Sequence, residues 1–235
     1  MATRVSFATT FNTTAGNKTV TFTPLADSLL IVCFGASGTS APPVASITDN
    51  RSGTYALVTS ATFTISSNAF YAAVAIRNSV TTNVSHIVTM TQTGDTGGGL
   101  SVVEYGWGGL TRVGTSAGRQ FGGQSDQAAS TTPAPGFSVA ALTGNPCITF
   151  IVSGTNGPGI TGPTGWAAAE NAGYNSPTTG IESFTRDSGF TGTTVTWGGT
   201  SATKYASIAL ELDVSGLPAS VPVLAMDTYR RRRVK

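Results

Sequence analysis

The chain has 235 residues, of which only 10% are charged and 40% are hydrophobic, with 29 glycines and 11 prolines. One histidine and two separated cysteines, Cys33 and Cys147, exclude a structural zinc site, and no apolar run approaches the ~20 residues of a membrane helix. Abundant Gly, Pro, Thr and Ser with few strong helix formers indicate short strands joined by many turns.

Apolar residues recur along the chain with a period of two or in short runs, which is typical of β-strands. In the first half we predict strands near 3–9, 18–23, 28–34, 54–65, 69–77, 84–91 and 99–106. In the second half we predict strands near 136–142, 147–153, 165–170, 180–186, 192–198 and 203–213. Both cysteines lie inside apolar runs, so we expect buried free thiols.

The two strand sets follow the same order, which indicates an internal duplication. Each has a buried run ("LLIVCF", "CITFIV") and, later, a closing strand with one acid, Glu104 or Glu211. Half a sandwich would expose an apolar face, so the halves should pair. We therefore predict an all-β fold: a jelly-roll-like antiparallel β-sandwich built from two similar halves. The first half spans 1–106, a Gly/Ser-rich bridge spans 107–135, and the second half spans 136–213.

Residues 214–235 differ from the rest and predict an extended basic C-terminal arm. Residues 1–229 hold eight Lys/Arg and eleven Asp/Glu and so sum to −3, whereas the last six residues add +5. We predict that the arm docks on an acidic groove of a partner protein, which we favour over nucleic acid. The predicted docking residues are Val221, Val223, Leu224, Met226, Tyr229, Arg230, Arg231, Arg232, Arg233 and Lys235.

Motifs that could carry chemistry lack the structure they require. The "GTSAG" motif at 114–118 resembles a nucleophile elbow, but its Ser116 is not followed by a helix-forming segment, and the chain's one histidine, His86, fits a strand. The "GPGITG" stretch has the spacing of a dinucleotide fingerprint, yet the residues after it cannot start a helix.

Binding sites for metals or sugars are also weakly indicated. Loop aspartates Asp49, Asp95 and Asp187 match no calcium motif. Trp166 and Trp197 fit core positions, whereas Trp107 is flanked by glycines and could stack on a glycan. We therefore predict no catalytic residue, no metal and no cofactor.

Several phrases resemble a group of small all-β proteins encoded among bacteriophage virion genes: "LADSLLIVCFGAS", "ITDNRSGTYALV", "FYAAVAIRNSVTTNVSHIVTMT" and "LSVVEYGW". The resemblance covers about 20–212 and implies a virion component, either a capsid decoration or cement protein or a tail-associated protein. It implies no active site. The alternative hypothesis is a carbohydrate- or receptor-binding module on the virion surface.

The resemblance also sets expectations for partners and location. We expect other virion proteins as partners and a homo-oligomer, with a trimer suggested by analogy alone. The segment "MATRVSFATTF" lacks the apolar core of a signal peptide, so we expect synthesis in a host cytoplasm, location in the virion and no membrane contact.

Overall fold

The computed structural model describes residues 3–12, 16–26, 28–38, 44–65, 68–77, 84–93, 95–106, 114–128, 132–154, 160–175, 178–198 and 204–214. These residues contain β-strands and one single-turn 3-10 helix, Gly114–Ala117, and no α-helix. The strands of the first half are β1 Thr3–Asn12, β2 Lys18–Phe22, β3 Ser28–Gly38, β4 Val44–Asp49, β5 Tyr55–Ile65, β6 Asn68–Arg77, β7 His86–Thr93 and β8 Asp95–Gly106. Those of the second half are β9 Gly118–Ala128, β10 Cys147–Ser153, β11 Ala167–Asn175, β12 Thr178–Arg186 and β13 Lys204–Leu212.

The strands form three antiparallel sheets stacked as layers. Sheet A has the order β1-β8-β3-β6-β5, sheet B the order β2-β7-β4, and sheet C the order β11-β12-β10-β13-β9. One apolar core lies between sheets A and C, and a second lies between sheets A and B. The prediction of an all-β sandwich is confirmed; its jelly-roll-like character stays a prediction.

The strands β3 and β10 are buried along their whole length because both of their faces are covered. Leu29, Ile31 and Cys33 of β3 face sheet C, whereas the intervening Leu30 and Val32 face sheet B. Because both faces of β3 are buried, its residues do not alternate between polar and apolar, and its sequence is the continuous apolar run "LLIVCF". This explains why the two apolar runs of the sequence mark the centres of the two five-stranded sheets.

The two halves share one strand order. In sheet A the first strand pairs with the last, which pairs with the buried central strand, as in β1-β8-β3; sheet C repeats this as β9-β13-β10. The remaining strands also correspond, because β6 and β5 follow β3 as β12 and β11 follow β10. Similar halves, inferred from the sequence, are thus visible in the hydrogen-bonded topology.

The second half also keeps a reduced counterpart of sheet B. The backbone N–H groups of Val195 and Trp197 donate to the carbonyls of Pro135 and Pro133, at 3.0 and 2.9 Å. An isolated bridge also joins Gly136 to Thr194. The segments 136–142 and 192–198, which we predicted as strands, are not strands in the structure. Pro135 and Pro133, which lie opposite Val195 and Trp197, have no N–H to donate in return, so no continuous ladder forms between them.

The bridge predicted over 107–135 is wrong in one respect, since β9 lies inside it and pairs with β13. Its sequence, "GRQFGGQSDQA", has no apolar alternation and gave no strand signal. Gly122 shows why this composition is needed: a Cβ there would collide with the backbone of Gly136, which crosses over the strand. The strand β4, "VASITD", was also not predicted, and only its last two residues lie in "TDNRSGTY", the segment that we interpreted as a turn.

Side chains and backbone groups join sheets A and C at both edges. On the β5 edge the backbone N–H of Thr62 donates to Ser125 Oγ of β9 at 3.1 Å. On the β1 edge the backbone N–H of Arg4 donates to Asp187 Oδ1 at 3.2 Å, and Arg4 Nη1 donates to the carbonyl of Ala168 at 3.0 Å. The contacts of Arg4 define a seam between the two halves.

Candidate functional site

The predicted docking residues, Val221 through Lys235, and the predicted stacking residue Trp107 lie outside the described residues. The structure does describe the point from which the arm departs. After β13 the backbone N–H of Asp213 donates to the carbonyl of Ala117 at 2.8 Å, and Val214 N donates to Asn145 Oδ1 at 3.5 Å. The segment that we predicted to be an arm therefore follows, in the sequence, a buried strand that is hydrogen-bonded on both sides.

Ser116 and His86, the candidate nucleophile and base, lie in different layers. Ser116 is in the 3-10 helix beside β5 and β9, and the strand β9, not an α-helix, follows it. His86 is only 1% exposed and lies on the inward face of sheet B with Val88 and Met90. Its Nδ1 is 3.1 Å from the carbonyl oxygen of Val84, and its Nε2 has no hydrogen-bond partner among the described residues. His86 is therefore not placed to act as a base for Ser116.

Trp197 and Trp166 are packing residues, as the sequence indicated. Trp197 is 1% exposed, its Nε1 donates to Thr149 Oγ1 at 3.0 Å, and its ring packs edge-to-face on Phe184. Trp166 is half-buried and packs on Phe190 with ring centroids 5.4 Å apart. The buried indole of Trp197 therefore presents no open face to a sugar ring.

The two cysteines are free and fully buried, as predicted. Burial raises the pKa of each thiol to about 12. A thiol in this state is a poor nucleophile, so Cys33 and Cys147 act as small apolar side chains.

The acid of each closing strand holds the loop that precedes the central strand of its half. Glu211 is fully buried and accepts hydrogen bonds from four groups: Arg119 Nη1 at 2.6 Å, Gln120 Nε2 at 2.5 Å, Asn145 Nδ2 at 2.7 Å and Leu142 N at 2.9 Å. Glu104 accepts from Leu25 N at 2.6 Å. Leu142 precedes β10 as Leu25 precedes β3, so the two glutamates share one structural role.

Asp49 has a similar structural role in the turn between β4 and β5. Its Oδ1 accepts from the backbone N–H of Arg51 and of Gly53, both at 2.8 Å, and its Oδ2 accepts from the Tyr55 hydroxyl at 3.1 Å. Ser52 within this turn has a left-handed φ of 54°. In the segment "TDNRSGTY" the Asp49 carboxylate thus stabilises a tight turn by accepting three hydrogen bonds within it.

Glu182 differs from these acids, because neither of its carboxylate oxygens has a hydrogen-bond partner of good geometry among the described residues. It is 2% exposed and pairs in register with Ile151, which belongs to an apolar cluster with Ile160, Trp197 and Tyr205. Burial raises its pKa to about 8, and the backbone N–H of Ile160 offsets this only in part. The protonated form is therefore favoured well above the usual range.

A cavity of about 440 Å³ opens at the seam between the halves. It is lined by Arg4 of the first half and by six residues of the second: Gly165, Ala167, Thr185, Arg186, Asp187 and Ser188. We call this cavity the seam pocket. Its lining includes two arginines, one aspartate and two residues with hydroxyl groups.

The guanidinium of Arg186 is fixed by main-chain oxygens. Its Nε donates to the carbonyl of Ser188 at 3.1 Å and its Nη2 donates to that of Gly189 at 3.0 Å. Gly165 and Gly189, with left-handed φ angles of 80° and 81°, flank the group, and a Cβ at either would come within 3.5 Å of its nitrogens. The glycines therefore allow the chain to fold closely around the charge.

Tyr105 lies behind Thr185 and joins the pocket to the core. Burial raises the pKa of its phenol, with Asp187 adding to the rise. Its hydroxyl is near Thr185 but makes no hydrogen bond of good geometry among the described residues. No signal in the sequence pointed to this pocket, because its charged residues are about 180 positions apart in the chain.

Comparison with protein-family models, with curated proteins and with solved structures found no match to this chain. Within the described ranges, no three His, Cys, Asp or Glu side chains cluster closely enough to hold a metal ion. The same ranges contain no helix long and apolar enough to cross a membrane.

Proposed function

We propose that this protein is a non-enzymatic structural component of a bacteriophage virion, a capsid decoration or cement protein or a tail-associated protein that docks through residues 214–235. The sequence resemblance motivates the virion assignment. The observation that carries the docking role is the attachment of the arm to β13, a strand buried along its length and paired on both sides.

This attachment suits an assembly protein for a mechanical reason. A load on the arm is transmitted first to β13 and then to β10 and β9 through ladders of backbone hydrogen bonds. The partner thus pulls on an inner strand of sheet C rather than on an edge strand. The +5 charge of residues 230–235 would attract an acidic partner surface, and "VPVLAM" supplies an apolar anchor beside it.

The structural use of the acids is consistent with this proposal. Glu211, Glu104 and Asp49 hold loops and turns, and their carboxylates are engaged with backbone or side-chain donors. A virion role also brings the expectation of a homo-oligomer and of synthesis in the host cytoplasm before assembly.

The test is a truncation after Val214, followed by measurement of copy number in particles of the virus or prophage that encodes the chain. A matched variant changes Arg230–Arg233 to glutamine and keeps the length of the arm. We expect both variants to fold as the full chain does and to be incorporated poorly. Wild-type protein already bound should be released when salt is raised from about 0.15 M to about 1 M. Incorporation of the truncated protein at the wild-type copy number would refute the docking role.

A further inference from the structure

The seam pocket contains a positive charge that no carboxylate neutralises directly. Among the described residues, Arg186 forms no ion pair, and its observed partners are the carbonyls of Ser188 and Gly189. Neutral carbonyls orient a guanidinium but cancel none of its charge. A fixed, uncompensated cation in a concave polar site is the arrangement that proteins use to hold anions.

Arg186 keeps hydrogen-bond donors available for a ligand. Of the five N–H groups of its guanidinium, Nε and one on Nη2 are used, and its Nη1 lies 3.5 Å from the position of a Cβ at Gly165, on the pocket wall. The hydrogen bonds to Ser188 and Gly189 fix the plane of the Arg186 guanidinium. A ligand with two oxygens could therefore meet it without further ordering of the side chain.

The remaining charges of the pocket leave a net positive site. Arg4 adds a second guanidinium, and Asp187 adds one carboxylate, whose Oδ1 accepts the backbone N–H of Arg4. The side chains that line the pocket thus carry two formal positive charges and one formal negative charge. Ser188, which is partly exposed, also lines the pocket, so an uncharged polar group of a ligand would find a partner there.

We propose that the seam pocket binds a small oxyanion, namely a carboxylate or phosphate group carried by a molecule about the size of a monosaccharide. The cavity of about 440 Å³ is in the lower part of the usual range for ligand sites. In the complex, Arg186 holds the anionic oxygens, Arg4 contributes charge from the other half, and the hydroxyl of Ser188 binds a neutral substituent. This inference does not rest on the proposed virion role, and it holds for either function considered for the chain.

The test is a titration of the isotope-labelled full chain, followed by NMR signals of the Gly165 and Gly189 amides and of the Arg186 side chain. Three probes separate the sources of the anion: inorganic phosphate, galacturonate and the neutral sugar galactose. We expect at least one anion to shift these signals saturably and galactose to leave them unchanged. Because residues 230–235 also attract anions, shifts confined to the arm would overturn the proposal.

Two variants locate the site. Arg186→Gln should weaken binding about 10- to 100-fold, as expected when a charge-assisted hydrogen-bond pair is lost. Since that change also removes contacts to Ser188 and Gly189, a second variant, Ala167→Glu, keeps both arginines and places a carboxylate on the pocket wall. It should abolish binding while leaving the melting temperature near that of the wild type.

The matched control is Thr64→Glu, which adds the same charge at an exposed position of β5, at the edge of sheet A opposite to β1 and Arg4. It should change the affinity about twofold or less, as expected for a solvent-screened charge. Equal loss of binding in both glutamate variants would show a general charge effect and would overturn the proposal. So would binding that survives Ala167→Glu.

Discussion

Glu182 should make the stability of the protein depend on pH in the direction opposite to that of most acids. Its side chain is 2% exposed, and Ile151, beside it in the sheet, belongs to an apolar cluster. Neither oxygen has a hydrogen-bond partner of good geometry among the described residues. The carboxyl is thus tolerated in the fold because it is protonated, and ionisation would place an uncompensated charge in the interior.

The sign follows from the two pKa values. The usual glutamate pKa is 4.5, and burial raises that of Glu182 to about 8. Below pH 4.5 the carboxyl is protonated in both the folded and the unfolded chain. Between the two values the unfolded chain is ionised while the folded one is not, so the free energy of unfolding falls as pH rises. Above pH 8 both states are charged and the loss is complete.

The magnitude can be bounded from the same values. At about 1.36 kcal/mol per pKa unit the full shift corresponds to at most ~5 kcal/mol, and relaxation of the structure around the charged form lowers our expectation to about 2–3 kcal/mol. Glutamine at 182 keeps the shape and cannot ionise. Relative to wild type, Glu182→Gln should therefore gain about 2–3 kcal/mol between pH 5 and pH 9.

The assay is urea denaturation of wild type and Glu182→Gln at about pH 5, 7 and 9, with comparison of the unfolding free energies. Comparing the two proteins at each pH cancels the titration of all other groups. Glu211→Gln is the matched control, since it removes a carboxylate with four donors and should destabilise at every pH. A constant difference between wild type and Glu182→Gln across this range would refute the reasoning.

Two further predictions concern the acids that hold loops. Glu211→Ala leaves the partly buried charge of Arg119 and three further donors without their acceptor, so it should cost about 3–5 kcal/mol in urea denaturation; a loss below ~1 kcal/mol would contradict this. Asp49→Ala removes the acceptor for Arg51 N, Gly53 N and the Tyr55 hydroxyl and should cost about 1–3 kcal/mol. Asp49→Asn keeps one acceptor oxygen, so it should cost less stability than Asp49→Ala. Faster hydrogen exchange at the Gly53 amide is the local readout. Equal losses of stability in the two variants would contradict a role for these hydrogen bonds in holding the turn.

Sequence reasoning predicted the fold best where burial leaves a clear pattern. The runs "LLIVCF" and "CITFIV" mark the centres of sheets A and C because strands covered on both faces carry continuous apolar residues. The repeated order of strands in the sequence also predicted two similar halves, and sheets A and C have the same strand order. Each repeated segment has the same neighbours in its own half.

The pattern failed where a strand depends on its partners rather than on its own residues. β9 is rich in Gly, Gln and Ser and is positioned by its ladder with β13 and by the close crossing of Gly136 over Gly122. The β-propensity of the residues in β9 does not reflect either of these contacts. In the second half, residues near 136–142 and 192–198 resemble strands in composition but make only scattered backbone hydrogen bonds. Part of the reason is that Pro133 and Pro135, opposite Trp197 and Val195, cannot donate in return.

The seam pocket could not have been predicted from the sequence, because its lining residues come together only when the two halves pack against each other. Arg4 is in the first strand, whereas Arg186 and Asp187 come from the end of β12. Glycines at 165 and 189 are unremarkable in a chain with 29 of them, and their left-handed φ angles appear only in the structure. By contrast, the equivalent positions of Glu104 and Glu211 in the two halves were evident from the sequence. Their shared role, which is to accept hydrogen bonds from the loop before the central strand, was not.

The location of the pocket links binding to the cohesion of the two halves. Arg4 crosses the seam with two hydrogen bonds, to Asp187 and to Ala168, and its guanidinium also lines the cavity. An anion held between Arg4 and Arg186 would bridge the halves and so favour the paired state over a separated one. By mass action, an anion at 100 times its dissociation constant would add about 2.7 kcal/mol to the stability of the folded chain. Duplication of a β-unit thus provides more than a larger core, because the seam between the copies creates a charged cavity that a single half would not contain.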